Sequence, residues 1–252
     1  MKKLAFLLCL IVVSASGQLA MKRQSVGSKH VTAPAVGGGG PIALHSTNSA
    51  SAASAGTTLT FALTLTNNLT DGYITVGATG WHATDGSTIN SCTFDGAAMT
   101  ALSANIPDSG GGDNRLFGLA VGAKASGAYN VVVTFSTTGY EAATGAASWN
   151  NVHQTTSVGS VASATAASTT PTVDVTSATG EVVLGHFWSN SDVLGGGTPG
   201  AGQTRIWYGA AGADVAASAG TQEAGTTTTT VSYSIGYSGW IVVAIPLKPA
   251  NP

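Results

Sequence analysis

The chain has 252 residues, 43% of them hydrophobic and only 8% charged, against roughly 25% charged in ordinary globular proteins. Such a chain can build a sizeable core but has too few Glu, Lys and Arg to clothe long helices, which argues for a β protein rich in turns. The net charge of −2 hides an asymmetry, because five of the nine basic residues precede position 30 and all eleven acidic ones follow it; no basic stripe is left for phosphates, so nucleic acid is not expected as a partner.

Met1 to Gly17 reads as a signal peptide. Lys2 and Lys3 precede an apolar run from Leu4 to Val13, and Ala15-Ser16-Gly17 supplies small residues for cleavage. The run falls short of the roughly 20 residues a membrane span needs. After leader removal the chain is therefore not expected to cross a membrane, and a secreted or cell-surface location follows, with a virion as the alternative. Cleavage removes Cys9 and leaves Cys92 without a partner for an internal disulfide. Residues 18–56 are small and polar, with Gly37 to Gly40 before Pro41, and are expected to form a flexible linker or N-terminal arm. Within it Ile42, Ala43 and Leu44 offer a short strand for a sheet edge, of this molecule or of a neighbour.

A β-sandwich domain is expected over residues 57–249, with 250–252 as a tail. Leu59, Phe61, Leu63 and Leu65 alternate with threonine, the pattern of a half-buried strand. Ile74, Val76 and Ala78 repeat it after a turn. Asp95-Gly96, between Thr93-Phe94 and Ala97-Ala98, is the strongest hairpin signal in the chain. After the polar loop Pro107 to Asn114, alternation resumes through Phe117, Leu119 and Val121, then through Tyr129, Val131, Val133 and Phe135. Glu141 to Trp149 is small and ambiguous.

Thr172 to Trp188 reads as the middle of the sandwich. Val173 and Val175 alternate with Asp174 and Thr176, Gly180 can take the positive φ of a hairpin turn, and Val182-Val183-Leu184 run without alternation, as in a strand covered on both faces. Thr204 to Tyr208, Thr226 to Ile235 and Trp240 to Leu247 complete the strands. Ten to thirteen short strands with turns between them predict an all-β, antiparallel two-sheet sandwich of jelly-roll type.

The segments SCTFDGAAMT (91–100), RLFGLAVGAKASGAYNVVVTFS (115–136), NVHQTTSVGS (151–160), TPTVDVTSATGEVVLGHFW (170–188), AGQTRIWY (201–208) and WIVVAIPLKP (240–249) together resemble an uncharacterised β-sandwich domain of secreted or surface bacterial proteins and some phage proteins. Ser157 stands where that family usually has Pro, and Asn150-Asn151 where Thr-Gly or Ser-Gly is common. The resemblance implies a surface module, often a repeat or appendage of a larger protein, and brings no catalytic residues with it.

Little in the chain points to chemistry. His30, His45, His82, His153 and His186 have no zinc-site spacing; His153 reads as a loop cap and His186 as a sheet-face residue. No G-x-S-x-G elbow occurs. Asp174 and Glu181 flank a turn, and glycoside hydrolysis would need two acids converging about 5–10 Å apart; solvated strand faces explain them more simply. Asp108 and Asp113 bracket a glycine-rich loop and form a weak Ca²⁺ candidate without the alternate-position acids of known calcium loops. Trp149 and Trp240 read as core. Trp81, Trp188, Trp207 and Tyr208 are the candidate ligand residues, because exposed rings on a sandwich can stack on sugars. The expectation is a non-enzymatic structural or adhesion module without a cofactor, its partners being protein neighbours and, in the alternative, a glycan.

Overall fold

The computed structural model describes residues 40–82, 88–107, 111–190, 197–211, 217–224, 227–236 and 238–250. The chain divides into two units, Met1–Val31 and Thr32–Pro252; the first, with the expected signal peptide, lies wholly outside the described residues.

The described residues form eighteen strands and no helix. The first ten are β1 (Ala43–Ala55), β2 (Thr58–Leu65), β3 (Leu69–Trp81), β4 (Ile89–Phe94), β5 (Ala97–Ala98), β6 (Thr100–Ala101), β7 (Ile106–Pro107), β8 (Gly112–Lys124), β9 (Gly127–Phe135) and β10 (Tyr140–Asn150). The remaining eight are β11 (Ala162–Ser168), β12 (Thr172–Thr176), β13 (Val182–Ser189), β14 (Thr198–Pro199), β15 (Thr204–Ala210), β16 (Ala217–Ala224), β17 (Thr228–Ser234) and β18 (Ser238–Leu247). They pair antiparallel into four sheets. A first outer sheet runs β2-β9-β4-β5 and a first inner sheet β1-β10-β3-β8-β6, with β7 also on β8. A second inner sheet runs β11-β18-β13-β16-β15 and a second outer sheet β12-β17-β14.

Three apolar layers separate these sheets. Phe61, Leu63 and Leu65 from β2 and Val131, Val133 and Phe135 from β9 meet Ile74, Val76 and Phe117 of the first inner sheet. Between the inner sheets lie Tyr73, Leu116 and Trp149 on one side and Leu184, Trp188, Ile241, Val243 and Ile245 on the other. Val173, Val175, Val231 and Tyr233 of the second outer sheet cover Val183, Phe187, Trp240 and Val242. Each buried Val, Leu or Phe contributes about 1.5–3 kcal/mol by leaving water, and alternation sends successive residues of one strand into different layers. On β13 both sets are mainly apolar, with His186 and Ser189 the polar members, and all eight residues are buried.

The antiparallel sandwich read from the sequence is present, and the stack contains it twice. In the first half the first strand pairs with the last (β1-β10), then come the third (β3) and β8, while the facing sheet runs β2-β9-β4-β5. This is the strand order of a double-sheet jelly roll. The second half repeats it as β11-β18-β13-β16 facing β12-β17-β14. One strand breaks the equivalence: β5 extends the first outer sheet, whereas β15 joins the edge of the second inner sheet. Across the middle layer β1 and β10 lie over β15, β10 and β3 over β16, and β8 over β13 and β18. Each half thus sets its last strand against the β8 or β16 position of the other, as twofold-related halves do.

Two expectations change. Ala43–Ala55, expected within a flexible arm, is a strand of 13 residues along the edge of the first inner sheet. Its Ala and Ser residues pair with the equally small β10, so neither strand shows the apolar alternation that marks its neighbours. The hairpin expected at Thr172–Trp188 is instead an arch. Its turn is real, with Gly180 at φ 88° and the Glu181 amide donating to the Ala178 carbonyl at 3.1 Å. The strands it joins, however, enter different sheets, β12 pairing with β17 and β13 with β16 and β18. Both are apolar on the faces they turn to one another, and burying those faces requires opposition across a core rather than side-by-side pairing. The Asp95-Gly96 hairpin stands as expected: both residues take positive φ, 51° and 76°, and Phe94 pairs with Ala97.

Candidate functional site

Two of the aromatic residues singled out in the sequence, Trp188 and Trp207, meet in the middle layer together with His186. Neighbouring β-sheets stack about 10 Å apart, so a ring projecting from one sheet needs a position on the other where no side chain stands. Three glycines of the first inner sheet supply such positions. A Cβ on Gly77 (β3) would overlap the His186 ring, one on Gly112 (β8) the Trp188 indole, and one on Gly145 (β10) the Trp207 indole. Trp207 reaches its seat through a bulge between Arg205 and Trp207 in the β15–β16 ladder, a device that re-aims a side chain. Its indole also lies against Gly220, its ladder partner on β16, where a Cβ would come within 2.6 Å of Nε1. The His186 and Trp207 rings are tilted neighbours with centroids 5.4 Å apart.

Several polar groups in this layer are paired within it, whereas the Trp188 indole N–H is buried without a hydrogen-bond partner among the described residues. Trp149 Nε1 donates to Thr75 Oγ1 at 2.9 Å, and Thr79 Oγ1 donates to the Ala143 carbonyl at 2.7 Å. Burial drives the His186 pKa down to about 3, outweighing a backbone hydrogen bond with Ala78 that favours the charged form. His186 is therefore a neutral ring at physiological pH. Burial likewise pushes the Tyr73 hydroxyl up to about 12, away from any acid–base role near neutrality.

The remaining candidates do not join these rings in a binding site. Trp188 is fully buried and Trp207 8% exposed, so neither offers a face to a sugar. Trp81, at the end of β3, and Tyr208, on β15, are half-buried. Tyr208 carries the Arg205 guanidinium 5.7 Å from its ring centroid, and its carbonyl accepts from Ser49 Oγ at 2.7 Å. Asp113 is buried and accepts from Asn105 Nδ2 at 2.6 Å. Its proposed calcium partner Asp108 lies outside the described residues, and among the described residues no three His, Cys, Asp or Glu side chains cluster as metal ligands. The acids beside the arch hold local structure: Asp174 accepts from Thr230 Oγ1 on the adjacent strand, and Glu181 Oε2 accepts from the Ala178 amide at 2.7 Å. His153 caps its loop as expected, Nδ1 accepting from the Thr155 and Thr156 amides at 3.3 and 3.1 Å. Trp149 and Trp240 are core residues.

Two shallow surface hollows, of about 380 and 360 Å³, include none of the candidate residues. The first lies beside Pro171, Pro199 and Tyr233, the second beside Tyr73, Leu102, Leu119 and Val158, and both also carry Ser and Thr hydroxyls. Sequence reasoning named the rings of the middle layer and missed their seats. The signal was available as isolated glycines inside strands, which mark close approach by another group.

Fold and site together define an all-β protein of two tandem jelly rolls joined face to face through ring-on-glycine contacts. Comparison with known proteins gives no match to a family model, a curated protein or a solved structure. No helix among the described residues is long and apolar enough to cross a membrane.

Proposed function

We propose that the protein is a non-enzymatic structural module, secreted or displayed at a surface, where it meets protein neighbours in an assembly. The observation that carries this reading is the use made of the aromatic residues. His186, Trp188 and Trp207, the side chains best suited to recognise a small ligand, serve instead to lock one jelly roll onto the other. A four-layer stack fastened in this way is a rigid body, and its loops, its strand edges and the polar outer faces of its outer sheets are the parts available to a partner. The family resemblance of the sequence points the same way, toward surface modules and appendages, with a virion component as the alternative setting. The glycan reading loses its platform with the burial of Trp188 and Trp207.

Fractionation of the producing cells, combined with sequencing of the mature N-terminus, tests the proposal. The expected result is protein in the medium or at the surface with its N-terminus near residue 18. Recovery only from purified phage particles would make it a virion component, and retention in the cytoplasm with Met1 intact would overturn the reading.

A further inference from the structure

The jelly-roll repeat leaves two equivalent strands, β1 and β11, each at the edge of an inner sheet. Among the described residues β1 pairs only with β10 and β11 only with β18. Sheet edges are normally protected by charge, proline or bulges, because an open row of backbone donors and acceptors invites another strand. The two edges differ in that protection. The β1 ladder is broken by register shifts between Leu44 and Ser46 and between Ala52 and Ala55. The β11 ladder runs unbroken from Ala162 to Ser168, and its sequence, ASATAAS, contains no charge and no proline. Just before it stands Val161, 38% exposed and one of two large hydrophobic side chains left exposed among the described residues.

We propose that β11 is a self-association edge at which a second copy of this chain pairs antiparallel, with Thr165 opposite its own counterpart, fusing two inner sheets into one. The proposal rests on the reading of a module that meets protein neighbours, and it names the neighbour. A second copy is the occupant that the chemistry favours. An antiparallel edge repeats itself across a twofold axis, so every ladder donor meets an acceptor. The small neutral side chains of β11 oppose one another without steric or charge conflict, and Val161 adds apolar area on each side of the axis. Thr165 is central in the strand and exposed.

Light scattering and sedimentation of the purified full chain test this. The wild type should pass from monomer to dimer as concentration rises. Thr165→Lys and Thr165→Glu should each stay monomeric where the wild type is dimeric, because like charges then face each other across the axis, and an equimolar mixture of the two should recover the dimer. Both should keep the wild-type melting temperature; if either loses the fold, Ala166→Lys and Ala166→Glu, at an exposed position whose two copies stand diagonally across the axis, repeat the comparison. A wild type that is monomeric at every concentration, or charge variants that dimerise as it does, would overturn the pairing. That outcome leaves the structural-module reading standing, since that reading falls only on cytoplasmic retention.

Discussion

The middle layer and the outer layers of this molecule solve one packing problem in opposite ways. In the outer layers apolar side chains from both facing sheets, aliphatic and aromatic, interdigitate: Phe61, Leu63, Leu65, Val131 and Val133 meet Ile74, Val76 and Phe117 in one, and Val173, Val175 and Val231 meet Phe187, Trp240 and Val242 in the other. In the middle layer large rings from the second half enter gaps left by glycine on the first, with Ala143, Ala147, Thr75 and Thr79 lining the space between. Interdigitated apolar cores tolerate exchange of one apolar residue for another if volume is conserved. A ring seated on a glycine tolerates no added atom, because backbone stands directly beneath it. The contact between the halves is therefore the more specific part of the fold and the less forgiving.

Substitutions in the two kinds of layer should differ in cost. Gly145→Val should have the largest effect, about 4 kcal/mol of lost stability in a denaturant titration, because it evicts the Trp207 indole. Leu63→Ala, in an outer layer, should cost about 3 kcal/mol, while Leu63→Met should cost less than about 1.5 kcal/mol; an equal cost for Leu63→Met and Gly145→Val would abolish the distinction. The next effect is on pH dependence. The folded His186 pKa lies at about 3, below the ordinary 6.5, so the unfolded chain takes up a proton that the folded one refuses. Stability from this group is complete above about pH 6.5 and is lost as pH falls toward 3, by about 2–3 kcal/mol at pH 4.5. Substituting His186→Gln should flatten that part of the profile, as followed by melting temperature against pH. Gly96→Ala should cost about 1 kcal/mol, since the turn holds φ at 76°. Smallest is Lys124→Ala: the partner Asp95 is about half exposed at 2.7 Å, and such surface pairs contribute under about 1 kcal/mol.

The contrast also explains what was legible in the sequence. The outer layers announce themselves through alternation, as in Leu59 to Leu65 and Tyr129 to Phe135, and the Asp95-Gly96 turn carries its own backbone requirement. The strands β1 and β10 do not, since Ala, Ser, Thr and Gly fill both their faces, and small residues suit an inter-sheet gap and a flexible linker equally well. The repeat was hidden for the same reason. Its halves share strand order, but one pairs its central strand with the alanine-rich β10 and the other with the Ile- and Val-rich β18. Alternation identified the valines of Thr172–Trp188 and could not say whether they lay beside each other or across a core. The rings of the candidate site were likewise visible as residue types, while their burial depended on glycines far away in the chain.

Rings seated on glycines hold the two jelly rolls together as one body, and scanning calorimetry of the full chain can show it. The wild type should unfold in a single cooperative transition, because the halves share the middle layer, and Gly145→Val should split that transition in two as the seat of Trp207 is filled. Two separate transitions in the wild type, or a single unshifted one in Gly145→Val, would contradict it.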